Sequence, residues 1–466
     1  MSEKTNSRWY RFLSSSFLVY VLAVVIALAL GAILILIVGG NVGDAYAAMF
    51  KGAIFNYDAK STAKMFAPLT KTIFFAVPLI IAGLALGIGF RAGLFNIGGT
   101  GQVLMGAVAA AWVGIFLDLP PVLHLLVALI AAIVAGAIWG WIPGILKAKT
   151  GANEVIVTIM MNTISTLFLA FILTKNYWHR PGSSDPRSPV IDANAQAIPL
   201  LPKPFQMDTG VIVAIVAAVF MWWFLDRSTW GYQLRAVGAN PNAAKTAGMN
   251  IGAITAMTMA VSGGLCGLAG GVQMTSTMKY LVSGVQATIG IDAITVALLG
   301  RNKPVGTILA GLIFGAFKAG GSVMQIQAKV PVDMVLILQS VIVLLVAAPP
   351  FVRWLFHLPS PDGNARKYVT LQADKPSDSS PVVVRHSVPS TASSLQSGEQ
   401  ALRPSAPSCA SLPQEGVAIN SDETAGVATQ AIEEPLIATV ASLPRDDGSE
   451  SALAEEKTER KEGNNE

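Results

Sequence analysis

The chain has 466 residues, of which 53% are apolar and only 13% are charged, whereas about a quarter of the residues in a soluble domain are charged. Residues 1–361 contain 23 Lys or Arg and 11 Asp or Glu, which gives a net charge of +12. Residues 362–466 contain 9 Lys or Arg and 17 Asp or Glu, which gives a net charge of −8. Long apolar runs in a basic body indicate a membrane protein, not a nucleic-acid binder. The two cysteines and four scattered histidines exclude a disulfide scaffold and predict no metal site. A soluble enzyme is excluded.

Apolar runs of about 20 residues, the length that crosses a hydrocarbon layer of about 30 Å, recur along the chain. The first run follows Lys4, Arg8 and Arg11, as in a signal peptide, and residues 45–47 (AYA) resemble a cleavage site. Because the run is too long and the site too far from it, we predict an uncleaved first span. The ten predicted spans are 17–38, 73–90, 93–117, 121–146, 154–174, 209–226, 251–275, 286–300, 304–322 and 333–350.

Positive charge beside the helix ends predicts which side of the membrane each loop faces. With the N-terminus inside, the inner turns contain Arg91, Lys147, Lys149, Arg227, Arg235, Lys245, Arg301, Lys303 and Arg353. The two long outer loops, 40–72 and 175–208, also hold four Lys or Arg each, so the asymmetry is incomplete. An even number of spans then predicts that both termini are cytoplasmic.

Two of the predicted spans mix glycines with polar side chains at membrane depth: GLFNIGGTGQVLMG at 93–106 and QATIGIDAITVALLGRNKPVG at 286–306. In lipid, irregular backbone is tolerated only where protein buries it or water reaches it. One interpretation is that the glycines simply let helices pack closely. The other, favoured by the matching positions of the two segments in the two halves of the chain, is a pair of interrupted helices beside a central pathway.

Few ionisable groups lie inside the spans, and such groups are functional candidates because they are costly there. Glu154, Thr158 and Asn162 follow one another at intervals of four and share one helical face. This stripe is interpreted either as facing a hydrophilic path or, for Glu154, as a residue favoured by the helix N-terminus. Asp292 and Lys318 are weaker candidates, because both can lie near an interface where Lys reaches water.

The segment 226–252 predicts a short, well-capped helix outside the membrane. Asn240 suits the N-cap, Pro241 the first helical position, and Gly248 the C-terminal stop, with alanines between them. The helix is either an ordinary connector or a docking element for another protein. The chain contains no G-x-x-x-x-G-K-[ST] motif for ATP.

Four motifs in order resemble the permease subunits of bacterial ABC importers, over about residues 15–355. They are RAGLFNIGGTGQ at 91–102, GANEVI at 151–156, GYQLRAVGANP at 231–241 followed by AAKTAG at 243–248, and VALLGRNKP at 296–304. The chain is most similar to the nucleoside and simple-sugar branch, and more distantly to the ribose and branched-chain amino acid permeases.

The resemblance implies a membrane-spanning permease that translocates a small polar solute across the bacterial cytoplasmic membrane and is not itself an enzyme. The implied partners are cytoplasmic ATPase subunits, a second permease that forms a heterodimer with this chain, and an extracytoplasmic substrate-binding lipoprotein. Because the ATPase subunits bind the ATP, this chain is expected to need no cofactor. The resemblance places the segment from Asn96 to Gln102 near the pathway. The other predicted pathway residues, chosen for their polarity inside the spans, are Glu154, Thr158, Asn162 and Asp292. The implied ATPase-coupling residues are Gly231, Arg235, Gly238, Asn240, Pro241, Ala243, Ala244 and Gly248, with Ala244 on the docking face.

The predicted fold is therefore an all-α polytopic membrane protein with about ten transmembrane helices and two interrupted Gly-rich segments. Its predicted parts are a cytoplasmic N-terminus (1–16), a transmembrane domain (17–355) that contains the coupling loop (226–250), and a disordered cytoplasmic tail (356–466). The tail is rich in Ser, Pro, Ala and Glu, and such a composition buries too little apolar surface to offset chain entropy. An ion-coupled secondary transporter that acts alone is the alternative function, and a channel or scaffold is a third.

Overall fold

The computed structural model describes residues 16–347 and 349–356, and within them the regular structure is helical apart from two isolated β-bridges. The predicted tail, except for residue 356, and nearly all of the predicted segment 1–16 lie outside the described residues. The helices are α1 (Ser16–Ile37), α2 (Val42–Ala53), α3 (Thr62–Arg91), α4 (Gly99–Phe116), α5 (Leu123–Thr150), α6 (Glu154–Leu173), α7 (Gly210–Arg227), α8 (Thr229–Ala239), α9 (Pro241–Thr246), α10 (Ile251–Val272), α11 (Ile289–Leu299), α12 (Pro304–Ala328), α13 (Val332–Ala347) and α14 (Pro349–Leu355). A π-helix, Gln273–Met278, continues α10.

Seven of the described helices are long and apolar enough to cross a membrane: α3, α4, α5, α6, α7, α10 with its π-helical extension, and α12. The apolar helical segments Val25–Ile37 and Ile289–Leu299 are shorter. The predicted count of ten spans is therefore not confirmed. In the predicted span 286–300, the helix has 11 residues, about 16 Å at 1.5 Å per residue, which is half of a hydrocarbon layer.

Helix boundaries also differ from the predicted ones. The predicted outer loop 40–72 contains α2 and the first third of α3, so the chain is already helical before the apolar run begins. The predicted span 93–117 becomes helical only at Gly99, because residues 92–98 have irregular backbone with Gly93 at φ +70°. The predicted short helix after Asn240 is confirmed as α9, and a second helix, α8, precedes it.

The connections between the helices gather at two ends of the bundle. At the end that we call the Asn240 end, Arg91 Nε donates to the Asn302 carbonyl at 2.9 Å, and a Cβ on Gly93 would lie 3.6 Å from Gly238. At the opposite end, the Asp192 N–H donates to the Gly114 carbonyl at 2.7 Å. The turns that carry the predicted inner charges at Arg91, 227–245 and 301–303 therefore share one end.

The centre of the bundle is built on close contact between α5 and α10. Gly136 and Gly140 of α5 face Gly263 and Gly267 of α10, and Gly144 of α5 faces Ala256 and Met259. A Cβ added to any of these glycines would meet backbone or Cβ atoms of the other helix. In membranes, where lipid is as apolar as leucine, such small-residue contacts supply much of the helix association. The shape of this glycine interface therefore fixes how the two helices cross.

Two irregular connections enter the bundle from opposite ends. Residues 92–98 lead from the end of α3 at the Asn240 end into α4, and residues 279–288 lead from the end of α10 at the opposite end into the short α11. Each connection is followed by a helix that begins inside the bundle and then by a long helix, α5 or α12. The two halves therefore have the inverted order of elements that many transporters use.

Candidate transport pathway and coupling segment

Asn96 is the centre of a polar cluster inside the bundle, and it is fully buried. Its Nδ2 donates to Gln102 Oε1 and to Ser262 Oγ, both at 3.0 Å, while its Oδ1 accepts from Gln102 Nε2 at 3.2 Å. Ser262 lies 11 residues into α10, about 16 Å from its start and thus near mid-membrane depth. The cluster satisfies its own hydrogen bonds, as burial in an apolar bundle requires.

The predicted stripe on α6 faces the irregular segment before α4. Asn162 Oδ1 accepts from the Gly101 N–H at 2.8 Å, and Asn162 Nδ2 donates to the Ile97 carbonyl at 3.0 Å. Thr158 is fully buried, and its Cβ would be 3.0 Å from a Cβ on Gly98. The amide of Asn162 thus pairs the Ile97 carbonyl of the irregular segment and an N–H in the first turn of α4. The predicted pathway role of Asn162 stays a prediction.

Glu154 starts α6 and pairs with Lys147, with 2.5 Å between Oε2 and Nζ. The neighbouring Asn153 caps the helix by accepting from the Val155 N–H. The carboxylate of Glu154 therefore lies at the N-terminus of α6 and on the same side of the helix as Thr158. Both interpretations of Glu154 are compatible with this position: a residue favoured by the helix N-terminus, and a member of the polar stripe.

The N-termini of α4 and α11 meet inside the bundle. Gly290, in the first turn of α11, lies so close to Thr100 that an added Cβ would overlap the Thr100 backbone. A Cβ on Gly99 would in turn lie 3.4 Å from the Gly290 carbonyl oxygen. Both helix ends present partial positive charge to this junction.

Asp292 belongs to a second buried cluster, on the side of α11 that faces α12 and α13. Its Oδ2 accepts from Thr288 Oγ1 at 2.6 Å and lies 3.2 Å from Lys318 Nζ, while its Oδ1 accepts from Gln339 Nε2 at 3.2 Å. The side chains of Asp292 and Lys318 are 10% and 25% exposed. Sequence reasoning did not pair these two residues and did not identify Gln339, because they are brought together only by packing.

The predicted cap of the coupling segment is present. Asn240 Oδ1 accepts from the Ala243 N–H at 3.1 Å, Pro241 occupies the first turn, and Gly248 has φ +81°. This positive φ is the conformation for which glycine is used after a helix. The local sequence pattern therefore determined the local structure.

The predicted placement of Ala244 on the docking face is wrong. Ala244 is 4% exposed and packs into the main apolar cluster with Leu234 and Ile254. Its neighbours Ala243 and Ala247 are exposed. Because a six-residue helix turns through less than two full turns, one face holds it to the bundle while the other is available.

The coupling segment touches the irregular segment before α4. A Cβ on Gly238 would lie 3.0 Å from Ala92 Cα and would overlap the Arg91 carbonyl oxygen. Gly231 similarly lies close to the end of α7, and Arg235 pairs with Asp226 at 3.3 Å. Displacement of α8 would therefore press on residues 91–93 by backbone contact, with no flexible side chain in between.

Asp208 lies just before α7 at the opposite end and was not singled out from the sequence. Its Oδ1 accepts from the Gly210 N–H at 2.9 Å. Burial raises the pKa of Asp208, and the hydrogen bond from Gly210 and the charge of Lys279 partly oppose that change.

The structure thus brings Asn96, Gln102, Thr158 and Asn162 together and places Glu154 on the same side. Asp292 instead has its own polar partners, Thr288, Lys318 and Gln339. Among the described residues, no group of three or more His, Cys, Asp or Glu side chains could hold a metal ion. Long apolar helices that enclose buried polar side chains are typical of a helical membrane transport protein.

Comparison with known proteins assigns the chain within that class. Residues 68–347 match the family described as "Branched-chain amino acid transport system / permease component", and the chain belongs to this family. It is a multi-pass permease subunit of the ABC-importer type. No solved structure matches the chain.

Three relatives illustrate the family. The guanosine ABC transporter permease protein NupP of Bacillus subtilis is 39% identical over 351 residues, 73% of this chain and 96% of NupP. The glucose ABC transporter permease protein TsgB13 of Haloferax volcanii is 32% identical over 342 residues, 71% of this chain and 87% of TsgB13. A second guanosine permease of Bacillus subtilis, NupQ, is 28% identical over 254 residues, 52% of this chain and 78% of NupQ.

Proposed function

We propose that the chain translocates a neutral polar solute, most simply a nucleoside or a sugar, through a path beside Asn96, Gln102, Thr158 and Asn162. The observation that carries this proposal is the uncharged polar cluster around Asn96 at mid-membrane depth. Side-chain amides both donate and accept, as recognition of sugar hydroxyls or a nucleobase requires. The names of NupP and TsgB13 are consistent with this class of solute.

The charges nearby argue against an amino acid as substrate. A zwitterion would need a cation for its carboxylate and an anion for its ammonium group, since unpaired charge is costly in a buried site. In the described part of the chain, Glu154 is paired with Lys147, and Asp292 with Lys318. The same pairing of Asp292 makes it a poor coupling site for a cation, which weakens the alternative of an ion-coupled transporter.

The proposed complex contains this chain, a second permease, cytoplasmic ATPase subunits and an extracytoplasmic binding lipoprotein. The existence of two matching guanosine permeases in Bacillus subtilis supports a heterodimer. The Asn240 end is proposed to face the cytoplasm, where the ATPase binds ATP and docks on Gly231 to Gly248. This chain then needs no nucleotide site or cofactor of its own.

In the proposed mechanism, ATPase movement displaces α8 and α9, and Gly238 transfers the displacement to residues 91–93. The irregular segment 92–98 then shifts against Asn162 and Ser262, which opens the contact between the N-termini of α4 and α11. Asn96 and Gln102 exchange their mutual hydrogen bonds for those of the solute. Asp292, held by Lys318, keeps α11 in place during this change.

Uptake by the reconstituted complex tests the proposal. Proteoliposomes that contain both permeases and the ATPase, supplied with the binding protein, are given labelled guanosine, glucose or leucine with and without ATP inside. We expect ATP-dependent uptake of guanosine or glucose and none of leucine. Uptake by this chain alone, driven by a proton or sodium gradient, would replace the importer with a secondary transporter, and leucine uptake would refute the neutral-solute assignment.

A further inference from the structure

Part of the loop between α6 and α7 lies along the connection that leads into α11. We call residues 187–197 the outer strap and residues 279–288 the α11 connection. The Ser188 N–H donates to the Leu281 carbonyl at 3.0 Å, and the Leu281 N–H donates back to Ser188 Oγ at 2.8 Å. The Ile191 N–H donates to the first carbonyl of the connection at 2.9 Å. The strap is thus bonded, mainly through backbone, to the segment that positions α11.

Apolar burial and a second anchor hold the outer strap in place. Ile191, Leu281 and Val285 are at most 2% exposed and belong to one apolar cluster. The Asp192 N–H donates to the Gly114 carbonyl near the end of α4 at 2.7 Å. The strap therefore joins α4 to the α11 connection at the end of the bundle opposite to the Asn240 end.

The backbone of the α11 connection is strained near both of its ends. Lys279 has φ +61° and Ala287 has φ +44°, in the left-handed region that residues with a Cβ rarely occupy. Such conformations persist where surrounding contacts impose them, and they are common in segments that switch. The hydrogen bond from the strap to the Lys279 carbonyl is one of these contacts. Separation of the strap would therefore free the connection to change its conformation.

Movement of the α11 connection reaches the junction of α4 and α11 directly. One residue separates Ala287 from the start of α11 at Ile289. Gly290 follows, and a Cβ on it would overlap the Thr100 backbone. The strap therefore stands at one end of a route of backbone contacts to this junction, as the coupling segment stands at the Asn240 end.

We infer that the outer strap is the outer gate of the transport pathway. It holds α11 against α4 until the binding protein docks, and it separates from the α11 connection in every transport cycle. Ser188 is the positioning residue, because it is fully buried and its hydroxyl oxygen accepts from the buried Leu281 N–H. Val190, Asp192 and Ala193 are exposed on the strap, where a docking protein can reach it. The inference rests on the proposed function for its sidedness and for the binding protein.

A disulfide between the strap and the connection tests the gate. Arg187 and Val282 form an isolated antiparallel bridge, and the hydrogen bond between the residues beside them makes them a pair that is not itself hydrogen-bonded. The Cα atoms of such a pair are about 4.5 Å apart, a distance that a disulfide spans. Arg187→Cys and Val282→Cys are combined with Cys266→Ala and Cys409→Ala in the reconstituted complex. After oxidation, uptake should fall to the level without ATP, and reduction should restore it.

The matched control is a disulfide in the same loop that does not join the strap to the connection. Pro199 and Asp208 form the other isolated bridge, with the same hydrogen-bonding geometry, and both precede α7. Pro199→Cys with Asp208→Cys should transport equally well when oxidised and when reduced. Full ATP-dependent uptake by the oxidised Arg187–Val282 pair would overturn the inference and leave the proposed function intact, because it would show that the strap is a fixed scaffold.

Ser188→Ala is a second test, and it needs no oxidation. It removes the acceptor of the Leu281 N–H, so the strap should separate more easily. The binding-protein concentration that gives half-maximal uptake should therefore fall about fivefold, the change expected for loss of one hydrogen bond. A role in folding alone would lower the maximal rate without lowering that concentration. Ser184→Ala, at an exposed position of the same loop, should change neither value. An unchanged or higher half-saturating concentration in Ser188→Ala would overturn the role of Ser188.

Discussion

Replacement of Gly263 by alanine tests whether backbone contact between α5 and α10 holds the bundle together. A Cβ on Gly263 would lie 2.9 Å from Gly140 Cα and closer still to the Gly136 carbonyl oxygen, and both contacts are with backbone. Ordinary contact begins near 3.4 Å. Relief of the contact with Gly140 Cα therefore requires a separation of about 0.5 Å, and relief of the closer contact with the Gly136 carbonyl oxygen requires about 1 Å. A gap of about 0.5–1 Å forfeits a quarter to a half of each dispersion contact across it.

We therefore expect Gly263→Ala to lower the free energy of unfolding by about 1–3 kcal/mol, the usual cost of overpacking. The adjacent Gly264→Ala is the control, because its Cβ would meet Ala137 and Ile133 at 3.4 Å, which is ordinary contact. Both substitutions add the same methyl group to the same helix and gain about the same helix propensity, up to about 1 kcal/mol. The difference between the free energies of unfolding of the two variants therefore measures the cost of overpacking alone.

The assay is the thermal midpoint of each purified variant in the same detergent, with ATP-dependent uptake as a second readout. The Gly136→Ala and Gly263→Ala double variant should lose less than the sum of the single losses, because the first methyl group already separates the helices. Equal midpoints for Gly263→Ala and Gly264→Ala, or strictly additive losses in the double variant, would refute backbone contact as the source of stability.

The remaining predictions concern charge, docking and the irregular segment. Asp292→Asn should lower the free energy of unfolding by about 3–5 kcal/mol, because it leaves the Lys318 ammonium unpaired. Adding Lys318→Met to this variant should restore most of the thermal midpoint. Equally low midpoints in the single and the double variant would contradict the ion pair. Ala243→Glu should abolish co-purification of the ATPase, while the amount of this chain in the membrane stays normal. Ala244→Glu should lower the amount of this chain in the membrane, because it buries a charge. Asn162→Leu should lower solute uptake, and it should lower the free energy of unfolding by about 1–3 kcal/mol for each backbone group that it leaves unpaired. Normal uptake together with an unchanged thermal midpoint would contradict the role assigned to Asn162.

Local sequence determined the features that depend on a few consecutive residues. The apolar runs predicted the seven described helices that are long and apolar enough to cross a membrane, since hydrophobic length is a property of the segment alone. The Asn240 cap and the positive φ of Gly248 were likewise predicted, because a cap joins residues three apart and glycine tolerates φ above zero. The motifs around Asn96 and Asn240 also pointed to the correct permease family.

Tertiary structure alone decided which faces of these helices meet. Asn96 and Ser262 are 166 residues apart, and Asp292 and Gln339 are 47 apart, so no local pattern joins them. The burial of Ala244 and the late start of α4 depend on contacts with other helices in the same way. The physical reason is that lipid and protein interior are both apolar: a helix that is hydrophobic all round gives no periodic signal for its buried face.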